Sequence, residues 1–198
     1  MTRGAMVVTG GIGSGKSVLV EALGATGFDT VDADRIGHRL LASGTVINQA
    51  VRRRWPEVGM PDGEVDRKRL AHIVFGDPDE LAALEAITHP AIRSELRSLL
   101  ESEGDLLVID LSVPRAIADD EDLARLPVVV VDAPVELRRR RLTERGLEEP
   151  DVSRRLAAQP SRGEWLRLAD LVVPNHGGLD SLRAAAEAVR RWFAARQT

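Results

Sequence analysis

The sequence contains no cysteine. That absence removes disulfides, zinc–thiolate centres and thiol nucleophiles from the possible chemistries, and it is compatible with a reducing compartment. Long apolar runs are missing too. The longest, Val128 to Val131, is far short of the roughly 20 residues a membrane-spanning helix needs. No extended apolar stretch marks the N-terminus, so the expectation is a cytoplasmic protein with no membrane partner. A basic excess is absent as well: the formal net charge is −4, which argues against nucleic acid as a general partner. Trp55, Trp165 and Trp192 are too scattered to form a stacking platform for bases. There is no internal repeat and no low-complexity tail.

What the chain does contain is a phosphate cradle. From Gly10 to Ser17 it reads Gly-Gly-Ile-Gly-Ser-Gly-Lys-Ser, matching G-x-x-x-x-G-K-[ST], directly after the apolar stretch Ala5 to Thr9. Glycines let the backbone N–H groups of Gly11, Ile12, Gly13, Ser14 and Gly15 converge on phosphate oxygens. Lys16 reaches the outer phosphates, and the Ser17 hydroxyl is placed to ligate Mg²⁺. A helix opening near Gly15 adds the positive end of its dipole. Of 27 basic residues only Lys16 and Lys68 are lysines. An arginine-rich chain thus keeps a compact point charge where phosphate suits one.

Apolar runs at Ala5 to Thr9, Thr30 to Asp32, Leu106 to Asp110, Val128 to Asp132 and Leu171 to Val173 predict buried parallel strands, with amphipathic helices between them. The predicted fold is α/β, a P-loop nucleotide-binding fold with a five-stranded parallel sheet flanked by helices. Ligands then belong at the carboxyl ends of the strands. A core of residues 1–43 and 103–198 is expected, with a helical insertion over 44–102 that receives the acceptor substrate. Within it, helices are predicted from Asp66 to Phe75 and from Asp79 to Leu100, the second interrupted at Pro90. The charged stretch over about 146–160 is expected to be an irregular, mobile lid. A closing helix from Leu179 to Arg196 carries Leu182, Ala186, Val189 and Phe193 on one packing face.

Phosphoryl transfer to a hydroxyl requires a group that receives the acceptor proton and cations that offset charge on the transferring phosphoryl. Asp34 and the arginines fit those roles. If strand two continues, Asp32 and Asp34 share one face. In the run Arg138 to Arg141, Arg141 shares a helix face with Arg145, four residues on. Arg138 and Arg139 point elsewhere and read mostly as solvated partners of Glu136, Glu144 or Glu148. Asp110 and Asp132 are equal candidates for holding the metal through water. By spacing alone, His89 has no metal partner and reads as a structural hydrogen-bonding group.

These residues together resemble a known family across nearly the whole chain. The chain is similar to the bacterial dephospho-coenzyme A kinases in Thr9 to Ser17, Asp32-Ala33-Asp34 with Arg39, and Asp62 to Arg67 before a helix ending Val74-Phe75. The likeness continues through Leu84 to Ile92, Arg141 with Arg145, Ala157-Ala158-Gln159, Arg162, and Ala169-Asp170 ahead of Asn175. The resemblance implies an ATP-dependent kinase for the 3′-hydroxyl of dephospho-coenzyme A, using Mg²⁺ and acting as a monomer or weak homo-oligomer. By that resemblance Asp34 is the base, Lys16 and Arg141 contact the transferring phosphates, and Ser17 holds the metal. Arg145 and Asn175 lie by the adenine, while Thr9, Arg39 and His89 lie on the acceptor side with Asp34.

The chain departs from the family after strand three. A Pro-Leu-Leu type segment followed by an aromatic and an acid is usual there, and this chain reads Leu111-Ser112-Val113-Pro114-Arg115; Val18 also replaces a frequent hydroxyl residue. The first departure keeps two alternatives open: a kinase for another small acceptor, such as a nucleoside monophosphate or sugar acid, and a paralogue with an altered acceptor pocket. A nucleotide-dependent switch is weakly suggested by Asp34-Arg35-Ile36-Gly37, a D-x-x-G, but no N-K-x-D for guanine accompanies it.

Overall fold

The computed structural model of the chain describes residues 4–104 and 106–196. In order, the elements are β1 (Ala5–Thr9), α1 (Lys16–Gly24), β2 (Asp29–Asp32), α2 (Ala33–Leu40), α3 (Val46–Arg54), α4 (Arg67–Val74), α5 (Pro78–Glu101), β3 (Leu107–Asp110) and α6 (Glu121–Ala124). Then follow β4 (Val128–Asp132), α7 (Val135–Glu144), α8 (Glu149–Ala157), α9 (Arg162–Leu168), β5 (Leu171–Pro174) and α10 (Leu179–Ala194). Two short 3-10 turns lie at Pro56–Val58 and Pro114–Ala116.

All five strands are parallel in the order β2-β3-β1-β4-β5. This is the predicted sheet, with each strand within a residue or so of its expected ends. Strands β1 and β3 are buried along their whole length and β4 along all but its first residue, which is why they read as continuous apolar runs rather than alternating ones. With β1 in the centre, β3 on one side and β4 on the other, the chain reverses direction across the sheet at the end of β1. That crevice is where such sheets bind ligands. The register sets Asp32 beside Asp110, and Asp132 beside Pro174, at the same carboxyl edge.

The chain divides into two compact units. The sheet unit comprises Met1–Asp32, Leu100–Val113 and Arg125–Thr198. Its core packs Met6, Val8, Leu19, Leu23 and Val108 with Leu182, Ala186, Val189 and Phe193 of α10. The Phe28 and Phe193 rings meet edge to face at 5.9 Å. The helical unit comprises Ala33–Leu99 and Pro114–Ala124. It therefore starts earlier than the insertion expected from Gly44 and also takes up the segment after β3. Its own core gathers Val51, Trp55, Val58, Val65, Leu70 and Val74.

Three expectations of local structure are corrected. Helix α5 runs through Pro90 without interruption. A mid-helix proline costs about 3 kcal/mol, and the burial of Ile92 and Leu96 within the two turns that follow offsets it. The charged stretch after Gly146 is not irregular but forms α8. Pro150 sits in the first turn, where no N–H is required, Glu149 and Asp151 suit the helix start, and Arg154 and Arg155 suit its end. Finally, β2 stops at Asp32 and α2 begins at Ala33, so Asp32 and Asp34 do not share a strand face; Asp34 lies exposed in the first turn of α2.

Candidate functional site

The loop from Gly10 to Gly15 joins the central strand to α1. Gly15 has φ +102°, and a Cβ there would lie 2.5 Å from Asn175 Nδ2 and 2.7 Å from Leu182 Cδ1. Both the left-handed backbone and the crowding require glycine. The main chain is folded on itself by Ser14 N–H donating to Gly11 O at 2.9 Å. No side chain caps the start of α1, and no acid lies in its first turn. Its leading N–H groups are therefore left for an anion at the positive end of the helix. The Ser14 hydroxyl is buried with no hydrogen-bond partner among the described residues. Such an orphan costs about 1–3 kcal/mol, a cost that a phosphate oxygen would relieve.

Lys16 Nζ forms an ion pair with Asp110 Oδ1 at the end of β3. Asp132, at the end of β4, is instead gripped by Arg162, with Nη2 to Oδ2 at 2.7 Å and Nε to Oδ1 at 2.9 Å. That hydrogen bonding holds the Asp132 carboxyl below its ordinary pKa. The two candidate metal carboxylates are thus distinguished. Asp110 stands beside the phosphate-loop lysine, and Asp132 already has a bidentate cation. Ser17 is exposed one residue after Lys16. No cluster of three or more His, Asp or Glu exists among the described residues. A sparse set of Ser17 and Asp110 fits Mg²⁺, which keeps several waters and draws its other ligands from substrate phosphates.

Helix α7 brings two arginines onto the loop. Arg141 Nη1 donates to Gly13 O and Ser14 O at 3.2 and 3.3 Å, and Nη2 donates to Asn175 Oδ1 at 3.2 Å and Gly177 O at 3.0 Å. Asn175 Nδ2 in turn donates to Ser14 O at 2.7 Å. Arg141 and Asn175, both picked out from sequence, are therefore joined on one side of the loop. Burial and the neighbouring charges of Arg140 and Arg145 press the Arg141 pKa down, yet a guanidinium stays protonated. Arg145 is exposed at the C-terminal cap of α7.

Arg138 corrects the expectation that it points away. It is only 7% exposed and donates from Nε to Ile12 O at 2.8 Å. Sequence reasoning missed it because a run of four arginines hides which one faces inward. The remaining two do pair outward, Arg139 with Glu149 and Arg140 with Glu144. Thr9 is fully buried, its hydroxyl donating to Leu111 O at 2.6 Å. That bond ties β1 to the segment after β3, so the side chain is not presented to a ligand. Trp165 is buried in α9.

In the helical unit, exposed Arg39 pairs with partly buried Glu95. His89, half-buried on α5, has its pKa lowered chiefly by burial, with Glu85 opposing and Arg93 and Arg115 reinforcing the shift. Arg115, in the departing segment, donates from Nε to Glu85 Oε1 and Oε2 at 2.9 and 3.1 Å. The departure is thus anchored to α5 one turn from His89.

Among the described residues no helix is long and apolar enough to cross a membrane. Comparison with known proteins places the geometry in a family. The chain is 39% identical over 185 residues to a dephospho-CoA kinase of Xanthomonas campestris, covering 91% of this chain and 88% of that one. The crystal structure of TT1252 from Thermus thermophilus superposes with a TM-score of 0.81 at 32% identity, covering 96% and 98% of the two chains. A dephospho-CoA kinase from Campylobacter jejuni gives a TM-score of 0.63 at 26% identity, covering 96% and 97%. With the dephospho-CoA kinase family model matching residues 5–181, and the loop, lysine and parallel sheet arranged as a P-loop kinase requires, the chain belongs to the dephospho-CoA kinase family.

Proposed function

We propose that this chain transfers the γ-phosphoryl group of ATP to the 3′-hydroxyl of dephospho-coenzyme A, giving coenzyme A and ADP as the last step of coenzyme A synthesis. The observation that supports it most is the glycine loop bounded by Lys16 and Arg141, in a chain whose match to the family extends over residues 5–181. Asp34 accepts the proton of the acceptor hydroxyl as the oxygen attacks phosphorus and the bond to the ADP oxygen breaks. Lys16 leaves Asp110 for the outer phosphates, and Arg141 offsets charge on the transferring group. Mg²⁺, when bound, neutralises charge on the phosphate oxygens and holds them in line; Ser17 and Asp110 are the side chains that would hold it. Asn175 and Arg145 border the nucleotide base, and Arg39 and His89 contact the acceptor.

One observation favours a second reading. Arg115 occupies the departing segment and is bound to Glu85, one turn from His89, so the acceptor surface differs in charge from the usual family pattern. That reading is a kinase with the same nucleotide chemistry and another small acceptor. A coupled ADP-release assay decides between them, with dephospho-coenzyme A, AMP, a sugar acid and an acceptor-free control run side by side. The proposal expects turnover with dephospho-coenzyme A alone. ADP release that ignores the acceptor, or prefers AMP or the sugar acid, overturns it.

A further inference from the structure

Arg138 and Gln159 are tied to the phosphate loop at a single residue. Arg138 Nε donates to Ile12 O at 2.8 Å, and Ile12 N–H donates to Gln159 Oε1 at 2.7 Å. The third side is closed by Arg138 Nη2, which donates to the same Gln159 oxygen at 2.9 Å. Both peptide groups flanking Ile12 are thus held by side chains far away in sequence, in a closed triangle. The fit is tight on the loop side. A Cβ on Gly11 would overlap the Arg138 guanidinium, and one on Gly13 would lie 2.9 Å from Arg138 O. On the other side there is room, since Arg138 and Gln159 both line a cavity of about 380 Å³ with Leu156 and Arg162.

Arg138 is 7% exposed and among the described residues forms no direct ion pair; the nearby Asp132 carboxylate, itself gripped by Arg162, offsets only part of the burial cost. Burying an unpaired guanidinium is costly. A merely structural contact to one carbonyl and one amide is met more cheaply by a neutral side chain. A cation held here contributes positive potential at the loop in addition to its hydrogen bonds. Gln159, for its part, lies just past α8, in the turn that leads into α9.

We propose that Arg138 and Gln159 are positioning residues for nucleotide binding: a clamp on Ile12 that fixes the crown of the phosphate loop and links it to the α8–α9 turn. The inference rests on the reading that the loop holds ATP phosphates. The clamp presets the direction of the amides that follow Ile12, so ATP meets an ordered cradle instead of ordering it. Because Gln159 belongs to the turn, ATP binding and the mobility of 149–168 are coupled, and by linkage each stabilises the other.

The test measures ATP affinity by equilibrium titration, and backbone hydrogen exchange with and without ATP, on full-length wild type, Gln159→Ala, Gln159→Glu and Arg138→Gln. Gln159→Ala is expected to weaken ATP about tenfold, the size of one lost hydrogen bond to a charged group. It is also expected to abolish ATP-dependent protection over 149–168 and to raise KM for ATP without changing KM for the acceptor. Gln159→Glu keeps an acceptor for the Ile12 N–H but pairs with Arg138 and offsets its charge, so it is expected to restore the protection over 149–168 and not the ATP affinity. Arg138→Gln, which reaches only as far as the Nε position and is uncharged, is expected to weaken ATP more than Gln159→Ala does. Wild type that fails to bind ATP overturns the nucleotide reading itself. Wild type that binds ATP while the Gln159 variants match it in affinity and protection overturns the clamp alone. Equal rises in KM for ATP and acceptor mark a general structural defect and also overturn it.

Discussion

The two arginines that touch the phosphate loop are partnered differently from four arginines of the helical unit that form ion pairs. In the helical unit Arg39, Arg54, Arg97 and Arg115 each face a carboxylate, on Glu95, Glu80, Asp120 and Glu85 respectively. In the sheet unit Arg138 and Arg141 donate instead to main-chain carbonyls of the phosphate loop and to the amide side chains Gln159 and Asn175. Neutral partners hold a guanidinium in place without cancelling its charge. At Arg138 and Arg141, therefore, positive potential is left for an anion, whereas the four ion-paired arginines of the helical unit are offset by their own carboxylates. Arginine content alone does not locate a phosphate site; the chemistry of the partner does.

The comparison is broken most severely at Asp34. Asp34→Asn is expected to lower kcat by about 10²–10⁴-fold with ATP affinity intact, since the proposed role of Asp34 concerns the acceptor proton and not the nucleotide. Near-normal turnover in steady-state kinetics removes Asp34 from the reaction. Next comes Lys16→Ala, for which a fall in kcat of about 10²–10³-fold is expected, typical of losing one charge-stabilising donor. Unlike Asp34→Asn, it should also weaken ATP. A binding titration indistinguishable from wild type contradicts the cradle.

On the stability side, Trp55 fills the core of the helical unit and donates from Nε1 to Glu80 Oε2 at 2.7 Å. Trp55→Ala is expected to cost about 3–5 kcal/mol, read from urea unfolding; a loss within experimental scatter would falsify the independent core assigned to that unit. The smallest effect belongs to the Asp132–Arg162 pair. Asp132 has a lowered pKa in the fold, so it contributes stability above the ordinary carboxylate range that disappears as pH falls through the folded value. Arg162→Ala should therefore destabilise at neutral pH, and its deficit should narrow as pH falls below the ordinary carboxylate range. A deficit that stays constant across that range means that packing, and not charge, holds the pair.

Much of the sheet was legible because two-faced burial leaves continuous apolar runs, as in Val128 to Asp132. The loop was legible because its glycines and lysine are demanded by phosphate geometry. What escaped was local and directional. Proline is a strong breaker only where packing does not override it, and at Pro90 the buried flank of α5 does. Charge density in α8 looked like a loop because its end signals are electrostatic rather than apolar. Arg138 escaped since a tetrad of arginines carries no periodicity. Only the location of Ile12 and Gln159, 126 residues before it and 21 after, reveals which guanidinium turns inward.

Asn175 and Leu182 press on Gly15 from a part of the chain that a ribosome makes long after the glycine loop. Strand β1, the middle of the sheet, likewise awaits neighbours β3 and β4. During translation the loop is therefore made before the segments that crowd it, and the binding proposed for it requires those later segments to have docked. Nucleotide capture thus reports on completed folding, and a cell rich in ATP biases late-stage refolding toward the native arrangement.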